Sequence, residues 1–336
     1  MEHTSTPEPR PVGVIGTGSH LPRREVGNTE VGAPAGVDDE WIVRKTGIRS
    51  RRWAETGEAT SDLAAKAGRA ALERAGVSPA DLSFVVVATS TPDSPQPPSA
   101  TAVAERIGAD PDTAAFDLNA VCSGFVYALS VVQRALGASP GGGYALVIGA
   151  DVYSRILDPT DRRTVVLFGD GAGAVVLGPV PRGRGMIATK LSSSGVHRDL
   201  IRVPAGGSRL PASEETLANG EHYFKMDGRG VRDFVSEYVP PAVRAFLKDT
   251  GVPEADISHL VPHQANGHMI EGLARDLGLV AARVHTTVHE YGNTGAASIP
   301  ITLDAAARSG DVRSGDMLLL AGFGGGMASG FALMRW

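Results

Sequence analysis

The chain has 336 residues, of which 42% are hydrophobic and 21% charged, with a formal net charge of −5 and a pI near 6.0. This charge argues against bulk nucleic-acid binding, and the single cysteine excludes an internal disulfide. The length favours two subdomains over one core.

The first eleven residues, MEHTSTPEPRP, are polar and contain proline. They lack the basic and apolar segments of a signal peptide, so we predict a disordered tail over residues 1–11. We expect no membrane span, since no stretch approaches the ~18 apolar residues that one needs. We therefore expect a cytoplasmic protein with neither a membrane nor a nucleic acid as partner.

The first motif along the chain, GTGSHL at 16–21, begins like a dinucleotide fingerprint, but Leu21 stands where a third glycine belongs. The sequence contains neither a Gly-Lys-Ser/Thr phosphate loop nor a G-x-S-x-G serine elbow. Nicotinamide binding and serine-hydrolase chemistry are thus not expected.

An internal repeat appears when the chain is shifted by 175 positions. Residues 67–88 then lie over residues 242–263, and ten of the 22 aligned positions are identical. In both copies the pattern predicts a helix ended by a glycine cap, a turn with Pro and Asp, and a short apolar strand.

The correspondence continues in order beyond that segment. CSGFVYALSVVQRAL from 122 falls on ASIPITLDAAARSGD from 297, and ALVIGAD from 145 and GDGAGAVVLG from 169 also have counterparts. We infer a duplicated α/β unit with largely parallel, buried sheets. The predicted halves span residues 12–180 and 181–336.

Cys122 stands at the predicted start of a helix, in DLNAVCSGF. The backbone N–H groups and macrodipole there favour a thiolate, which makes Cys122 a candidate nucleophile. A free cysteine is equally typical of a packed apolar core, and the residues alone leave both readings open.

Three further segments carry candidate residues. His263 ends the strand HLVPH, Asn293 lies between glycines in EYGNTGAASIP, and the GFGGG run at 322–326 can direct backbone N–H groups at an oxyanion. A structural histidine, a helix-capping asparagine and a glycine-rich strand are the alternatives. His259 and His263 are four residues apart on a strand, which does not suit metal binding, so no metal site is expected.

Together, DLNAVCSGF, PHQAN, YGNTGAASIP and GFGGG resemble the β-ketoacyl-[acyl-carrier-protein] synthase III enzymes of the thiolase superfamily. The segments at 39–54, 158–178 and 223–234 share this resemblance, which covers residues 12 to 336. It implies a thiolase-like duplicated α/β fold of five layers (α-β-α-β-α), a homodimer, and CoA thioesters as substrates without a cofactor.

The resemblance also implies roles for individual residues. Cys122 would be the nucleophile that accepts acyl from acyl-CoA, and His263 and Asn293 would stabilise the enolate formed when a malonyl thioester loses CO2. The N–H groups of Cys122 and Gly325 would form the oxyanion hole. Substrate-binding positions are then Phe323, Trp41, Arg162, Lys45 and Asn266.

The sequence departs from the family at several positions. Lys45 replaces a frequent arginine near the CoA phosphate, and His268 replaces an arginine that meets the acidic carrier protein, while Arg275 keeps a positive charge on that helix. Pro97 and the segment MASG at 327–330 also differ from the usual pattern. The last two changes favour a specialised starter, such as one that primes a polyketide or another secondary metabolite, whereas His268 indicates carrier docking that is weaker or directed at a different partner.

The function predicted is decarboxylative Claisen condensation of an acyl-CoA starter with malonyl-acyl-carrier protein through an acyl-Cys122 intermediate. Two alternatives stay open. One is acyl transfer to an alcohol, an amine or a carrier protein without carbon–carbon bond formation. The other is a non-catalytic subunit that binds acyl-CoA or carrier protein.

Overall fold

The structure is a computed structural model that describes residues 11–139 and 142–336. Apart from Pro11, the predicted disordered tail lies outside the described residues. Apart from the short elements inserted after β1, after β8 and before α10, the strands and helices of the described chain fall into two successive sets with the same order.

The strands are β1 (Val12–His20), β2 (Arg24–Gly27), β3 (Ser50–Trp53), β4 (Leu82–Ala88), β5 (Ala114–Leu118), β6 (Tyr144–Asp151), β7 (Gly171–Pro179), β8 (Gly185–Ser193), β9 (Ile201–Arg202), β10 (Lys225–Met226), β11 (His259–Pro262), β12 (Arg283–Val284), β13 (Met317–Gly324) and β14 (Ala328–Arg335). The helices are α1 (Asn28–Gly32), α2 (Asp39–Thr46), α3 (Thr60–Ala75), α4 (Ser99–Ile107), α5 (Gly124–Ala138), α6 (Glu214–Ala218), α7 (Gly228–Thr250), α8 (Gly267–Leu277), α9 (Val288–Tyr291) and α10 (Ser298–Arg308).

Two five-stranded sheets have equivalent topology. The first has the order β1-β7-β6-β4-β5, and the second, read from its β8 edge, has the order β8-β14-β13-β11-β12. In each, the three strands at one side run parallel and the other two pair antiparallel. The duplication inferred from the sequence repeat is therefore present in the fold.

Five layers stack along the molecule. Helices α5 and α10 lie between the two sheets, where their apolar side chains form one continuous core with residues of both sheets. A second core joins α3 and α4 to the outer face of the first sheet, and a third joins α7 and α8 to the outer face of the second. The predicted α-β-α-β-α arrangement is confirmed.

The repeated helix ends follow the predicted pattern. Gly76 after α3 and Gly251 after α7 both adopt a left-handed conformation, with φ of 65° and 70°. Each is followed by a short 3₁₀ turn and then by a central strand of its sheet. Glycine is favoured at such helix ends because it has no Cβ to clash in this conformation.

Close packing in the middle layer depends on small residues in the strands. A Cβ on Gly149 of β6 would lie 2.3 Å from the carbonyl oxygen of Ala296, and one on Gly173 of β7 would lie 2.5 Å from the nitrogen of Ile301. Glycines at these points therefore let the start of α10 approach the first sheet. This agrees with the prediction that the GDGAGAVVLG segment is structural.

One apolar window, Val121–Ala138, is long and apolar enough to cross a membrane by length and composition, which the sequence analysis overlooked. It contains α5, and 56% of the window is buried inside the protein. The hydrophobicity of this segment is explained by its position between two sheets, since both of its faces contact apolar strands.

Candidate active site

One cavity of about 270 Å³ lies where the two halves meet. Its wall includes Cys122 from the first half and His263, Asn293 and Phe323 from the second. The remaining lining residues named by the sequence analysis are Trp41, Lys45, Arg162 and Asn266. Three segments far apart in the chain thus converge on one chamber.

The nucleophile candidate is held by an unusual backbone turn. Val121–Ser123 form a 3₁₀ turn directly before α5, and Val121 has a φ of +48°. This value is uncommon for a β-branched residue and indicates local strain, which folded proteins retain mainly at functional sites. The Ser123 hydroxyl donates a 2.8 Å hydrogen bond to the Ala328 carbonyl, which fixes the turn against the second half.

Cys122 is 5% exposed, and burial raises the pKa of its thiol to about 12. The charge of Asp151 adds to this rise, while the N–H groups of Gly325 and of Cys122 itself oppose it. The local N–H groups thus favour the thiolate as expected, but desolvation outweighs them, and the net effect raises the pKa of the thiol.

His263 follows β11 and has its imidazole fixed by α10. Its Nδ1 lies 2.8 Å from the Ser298 hydroxyl, whose oxygen also accepts a 3.4 Å hydrogen bond from the Gln264 amide. We assign the Ser298 hydroxyl as the donor and Nδ1 as the acceptor in this hydrogen bond. Nε2 then carries the ring proton and can donate into the cavity. Burial lowers the pKa of His263 to about 3, so the ring is neutral.

Asn293 is positioned by its backbone and by its own side chain. Its N–H donates to the Leu167 carbonyl at 2.8 Å, and its carbonyl accepts from the Gly169 N–H at 3.0 Å. Its Oδ1 accepts a 2.9 Å hydrogen bond from the Gly295 N–H. Because Oδ1 is engaged in this way, the amide N–H2 is the end that can donate to a ligand. The side chain therefore stabilises the turn before Gly295 locally, which is compatible with the predicted functional role.

The GFGGG segment brings backbone against the sulfur. A Cβ on Gly324 would lie 2.5 Å from Cβ of Cys122, so only glycine allows this approach. The backbone N–H of Gly325 lowers the pKa of the Cys122 thiol. Phe323 places its ring perpendicular to that of His263, with centroids 5.4 Å apart.

The mouth of the cavity is lined by the residues predicted to bind CoA. The Arg162 guanidinium lies over the Trp41 ring, 5.8 Å from its centroid. Asn266 caps α8 by accepting a 2.9 Å hydrogen bond from the Met269 N–H. Lys45 borders both this cavity and a neighbouring groove between α7 and α8.

The two predicted carrier-docking residues occupy different environments. His268 lines the α7–α8 groove, where its Nε2 lies 3.1 Å from the Arg44 carbonyl and its Nδ1 3.4 Å from Glu271. Arg275 is exposed on α8, outside the residues that line either cavity. The structure thus brings His268, but not Arg275, to the groove.

Several cavity residues carried no signal in the sequence. Phe168 and Phe224 form part of the wall, with ring centroids 4.9 Å apart, and Tyr153 stacks on Phe168 behind them. Their roles depend on tertiary packing rather than on a motif. Ser298 stood inside the quoted ASIP segment, but only its contact with His263 distinguishes it.

Comparisons with known proteins agree with this geometry. Residues 116–195 match the model of 3-oxoacyl-[acyl-carrier-protein (ACP)] synthase III, and residues 247–336 match that of its C-terminal region. The acetoacetyl CoA synthase NphT7 of Streptomyces sp. (strain CL190) is 61% identical over 325 residues, covering 96% of this chain and 98% of that protein.

This chain belongs to the 3-oxoacyl-[acyl-carrier-protein] synthase III family. A β-ketoacyl-[acyl-carrier-protein] synthase III of Rhizorhabdus wittichii is 46% identical over 324 residues, covering 96% of this chain and 98% of that one. The crystal structure of the priming β-ketosynthase from the R1128 polyketide pathway superposes with a TM-score of 0.90 at 36% identity, covering 99% of both chains. The predicted family and fold are confirmed, and the protein is a condensing enzyme of the synthase III type.

Proposed function

We propose that the protein catalyses decarboxylative condensation of an acyl-CoA starter with a malonyl thioester. The observation that carries this proposal is the convergence of Cys122, His263 and Asn293 on one buried cavity. A nucleophilic sulfur and two neutral hydrogen-bond donors are the groups that acyl capture and enolate stabilisation require.

The first step is acyl transfer to Cys122. The sulfur attacks the thioester carbonyl of acyl-CoA, the C–S bond to CoA breaks, and the thiol proton goes to the departing CoA sulfur. Because burial raises the pKa of Cys122 to about 12, the free thiol stays protonated at neutral pH. Proton loss is therefore coupled to substrate binding and acyl transfer.

The second step is loss of CO2 from the malonyl thioester. The electron pair of the breaking C–C bond moves into the thioester carbonyl and forms an enolate. Nε2–H of His263 and the amide N–H2 of Asn293 donate to that oxygen. Both groups are neutral and fixed by hydrogen bonds to Ser298 and Gly295, so little reorganisation accompanies the charge.

In the third step the enolate carbon attacks the acyl carbonyl on Cys122. We propose that the backbone N–H groups of Cys122 and Gly325, both of which lower the pKa of the Cys122 thiol, receive the developing oxyanion. The C–S bond then breaks, the sulfur takes up one proton, and the β-ketoacyl thioester leaves.

The aromatic wall favours a short starter. Tyr153, Phe168 and Phe224 form a mutually packed cluster, with centroid distances of 4.5 to 5.7 Å. Phe168 and Phe224 line the cavity of about 270 Å³ with Cys122, and Tyr153 packs behind them, so we propose that this wall limits the length of the acyl chain on Cys122. The predicted specialised starter is therefore a short acyl group.

The carrier of the malonyl group has two candidates. Malonyl-acyl-carrier protein follows from the family, whereas malonyl-CoA is favoured by the 61% identical relative named acetoacetyl CoA synthase and by His268 at the groove. Exposed Arg275 and the groove residues Lys45 and Arg232 supply positive charge for either carrier. A rate comparison with the two malonyl thioesters at equal concentration distinguishes them.

A homodimer is the proposed assembly. Strand β5 is the terminal strand of the first sheet and, within the described chain, pairs only with β4. Its free edge can continue the sheet into a second copy. Light scattering on the purified protein should give twice the chain mass of 34.8 kDa, and a monomer mass would contradict this assembly.

Intact-protein mass spectrometry tests the reaction directly. After exposure to a panel of acyl-CoAs, short starters should add their acyl mass to the protein, and a malonyl thioester should then remove that mass and release CO2. Discharge of the acyl group to an alcohol or amine without CO2 would instead support simple acyl transfer. A protein that never acquires an adduct would support the non-catalytic alternative.

A further inference from the structure

Asp151 is a buried carboxylate that the proposed reaction steps do not use. It is the last residue of β6, the central strand of the first sheet, and its side chain is fully shielded from solvent. Because water cannot stabilise a carboxylate at this position, donors of the protein must do so. These donors come from both halves of the molecule and connect Asp151 to the enolate site.

One carboxylate oxygen is held by the first half. Oδ1 of Asp151 accepts four hydrogen bonds of 2.9 to 3.1 Å, from the Ser90 N–H and from the hydroxyls of Thr89, Ser90 and Thr91. The Thr91 oxygen itself accepts from the Val152 N–H at 2.8 Å, which leaves its proton for Asp151. The surroundings of Oδ1 therefore require an oxygen and have no place for an N–H2 group.

The other carboxylate oxygen is bound by the second half. Oδ2 of Asp151 accepts a 2.8 Å hydrogen bond from the N–H of Ala296, in the 3₁₀ turn Gly295–Ala297. Gly295 has a φ of +58°, and a Cβ there would lie 2.3 Å from Oδ2, so the turn packs directly on the carboxylate. Asp151 thus joins the two halves at the turn that follows Asn293.

This turn also orients the Asn293 amide. The N–H of Gly295 donates to Oδ1 of Asn293 at 2.9 Å, which leaves the amide N–H2 to donate to a ligand. The N–H groups of Gly295 and Ala296 belong to consecutive planar peptide units, so a displacement of one also moves the other. The orientation of the Asn293 amide therefore depends on the contact between Ala296 and Asp151.

We infer that Asp151 is a positioning residue for Asn293. Its carboxylate holds the turn Gly295–Ala297 in the geometry that presents the Asn293 amide to the enolate. Asp151 transfers no proton and touches no substrate. The inference rests on the role of Asn293 in the proposed function. It implies that loss of the contact slows decarboxylation and spares acylation of Cys122.

The variant Asp151→Asn tests this directly, because it keeps the shape of the side chain. The four donors around Oδ1 select the amide oxygen, so the N–H2 group faces the Ala296 N–H and the two donors repel. Discharge of a preformed acyl-Cys122 adduct by a malonyl thioester, measured by intact-protein mass spectrometry and CO2 release, should fall about 10-fold to 10²-fold. Acylation should not slow, since burial and the charge of Asp151 both raise the pKa of the Cys122 thiol and the variant removes that charge.

A double-mutant cycle separates positioning from a general structural loss. In the Asn293→Ala background, Asp151→Asn should slow discharge by less than about twofold, because the group that it positions is absent. A purely structural effect would slow discharge by the same factor in both backgrounds.

Hydrogen exchange gives a second measurement that needs no substrate. In Asp151→Asn the Ala296 N–H loses its acceptor, so the peptide that spans residues 293–298 should exchange faster than in wild type. The matched control is Asp304→Asn, an equally buried carboxylate in α10 that accepts from the hydroxyls of Thr17 and Ser19 at 2.8 and 2.6 Å. It should leave exchange in this peptide and the ratio of discharge to acylation unchanged.

Three results would overturn the inference: equal slowing of acylation and discharge in Asp151→Asn, an equal effect on discharge in the Asn293→Ala background, or unchanged exchange over residues 293–298. If Asp151→Asn does not fold, Thr91→Val removes one donor to Oδ1 and should give smaller effects of the same sign. A wild-type adduct that is never discharged with CO2 release would contradict the proposed function instead. The exchange measurement would still support or overturn the contact between Asp151 and the turn.

Discussion

The two halves of the molecule share one topology and carry different chemistry at equivalent positions. Cys122 precedes α5 in the first half, and its counterpart 175 positions later, before α10, is Ala297. His263 follows β11 in the second half, and its counterpart 175 positions earlier is Ala88, the last residue of the equivalent strand β4. Duplication thus brings equivalent strand ends to one chamber, and divergence gives each half a separate task.

The electrostatics of the halves differ as well. The first half contains a buried carboxylate, Asp151, which together with desolvation raises the pKa of the Cys122 thiol. The second half contributes a neutral imidazole and a neutral amide, because burial lowers the pKa of His263 to about 3. The nucleophile is therefore protonated until substrate arrives, and the enolate is met by fixed dipoles rather than by a cation.

The largest effect is expected from a substitution in the first half alone. Cys122→Ala removes the only thiol of the chain and should abolish both the acyl adduct and the condensation product, with a loss of about 10³-fold or more. Mass spectrometry measures the adduct, and product formation from acyl-CoA and a malonyl thioester measures the rate. Condensation at the normal rate in this variant would exclude the covalent mechanism.

The next largest effect is expected from a substitution in the second half that leaves the nucleophile in the first half unchanged. Asn293→Ala removes one enolate donor and should lower condensation by about 10²-fold to 10³-fold, while acylation of Cys122 proceeds. The acyl adduct should therefore accumulate and persist after addition of a malonyl thioester.

The surface variant Asn219→Ala, which alters an exposed asparagine after α6, is the control and should behave as wild type. If Asn293→Ala instead transfers its acyl group at full rate, the second half does not have the separate task of enolate stabilisation. The enzyme would then perform acyl transfer without decarboxylation.

How much of this comparison the sequence could predict depends on the residue. The repeat predicted the duplicated fold because helix caps such as Gly76 and Gly251, and the strands that follow them, are encoded locally. The resemblance named Cys122, His263 and Asn293, and the structure brings them to one cavity. Motif order was sufficient for both.

The features of the site that the sequence did not predict depend on burial, which no motif encodes. The thiol was expected to be favoured as a thiolate from its place before α5, yet enclosure by Gly324 and neighbouring elements dominates its pKa. Likewise Phe168 and Phe224 stand in segments whose proximity arises only when the halves pack together. Arg275 lies on α8 as predicted but is not among the residues that line the groove.

A smaller effect concerns how the second half depends on pH. The pKa of His263 is about 3 in the folded protein and near 6.5 when unfolded, so the unfolded state gains a proton first as the pH falls. Its contribution to stability is constant above about pH 6.5 and decreases between that value and pH 3. From pH 7 to pH 5 we expect about 2 kcal/mol of this loss.

Urea denaturation of wild type and His263→Asn at both pH values measures this contribution. The variant should lose less stability than wild type over the same interval, since asparagine does not titrate. Equal losses of stability in the two proteins would show that His263 is accessible to protons in the native state. The electrostatic difference between the two halves would then not hold.

The smallest effect tests the contact that joins the halves at the nucleophile. Ser123→Ala removes the buried 2.8 Å hydrogen bond to the Ala328 carbonyl and should lower the free energy of unfolding by about 1 to 2 kcal/mol. Because Ala328 starts β14 next to the Gly325–Met327 turn, the loss should also slow condensation more than alkylation of Cys122. The control is Thr101→Ala on α4, where an exposed hydroxyl donates only to the Pro98 carbonyl and its removal should cost little. A Ser123→Ala variant that is as stable and as active as this control would contradict the prediction. The strained turn at Val121 would then be held by packing alone, and the two halves would not depend on each other through this hydrogen bond.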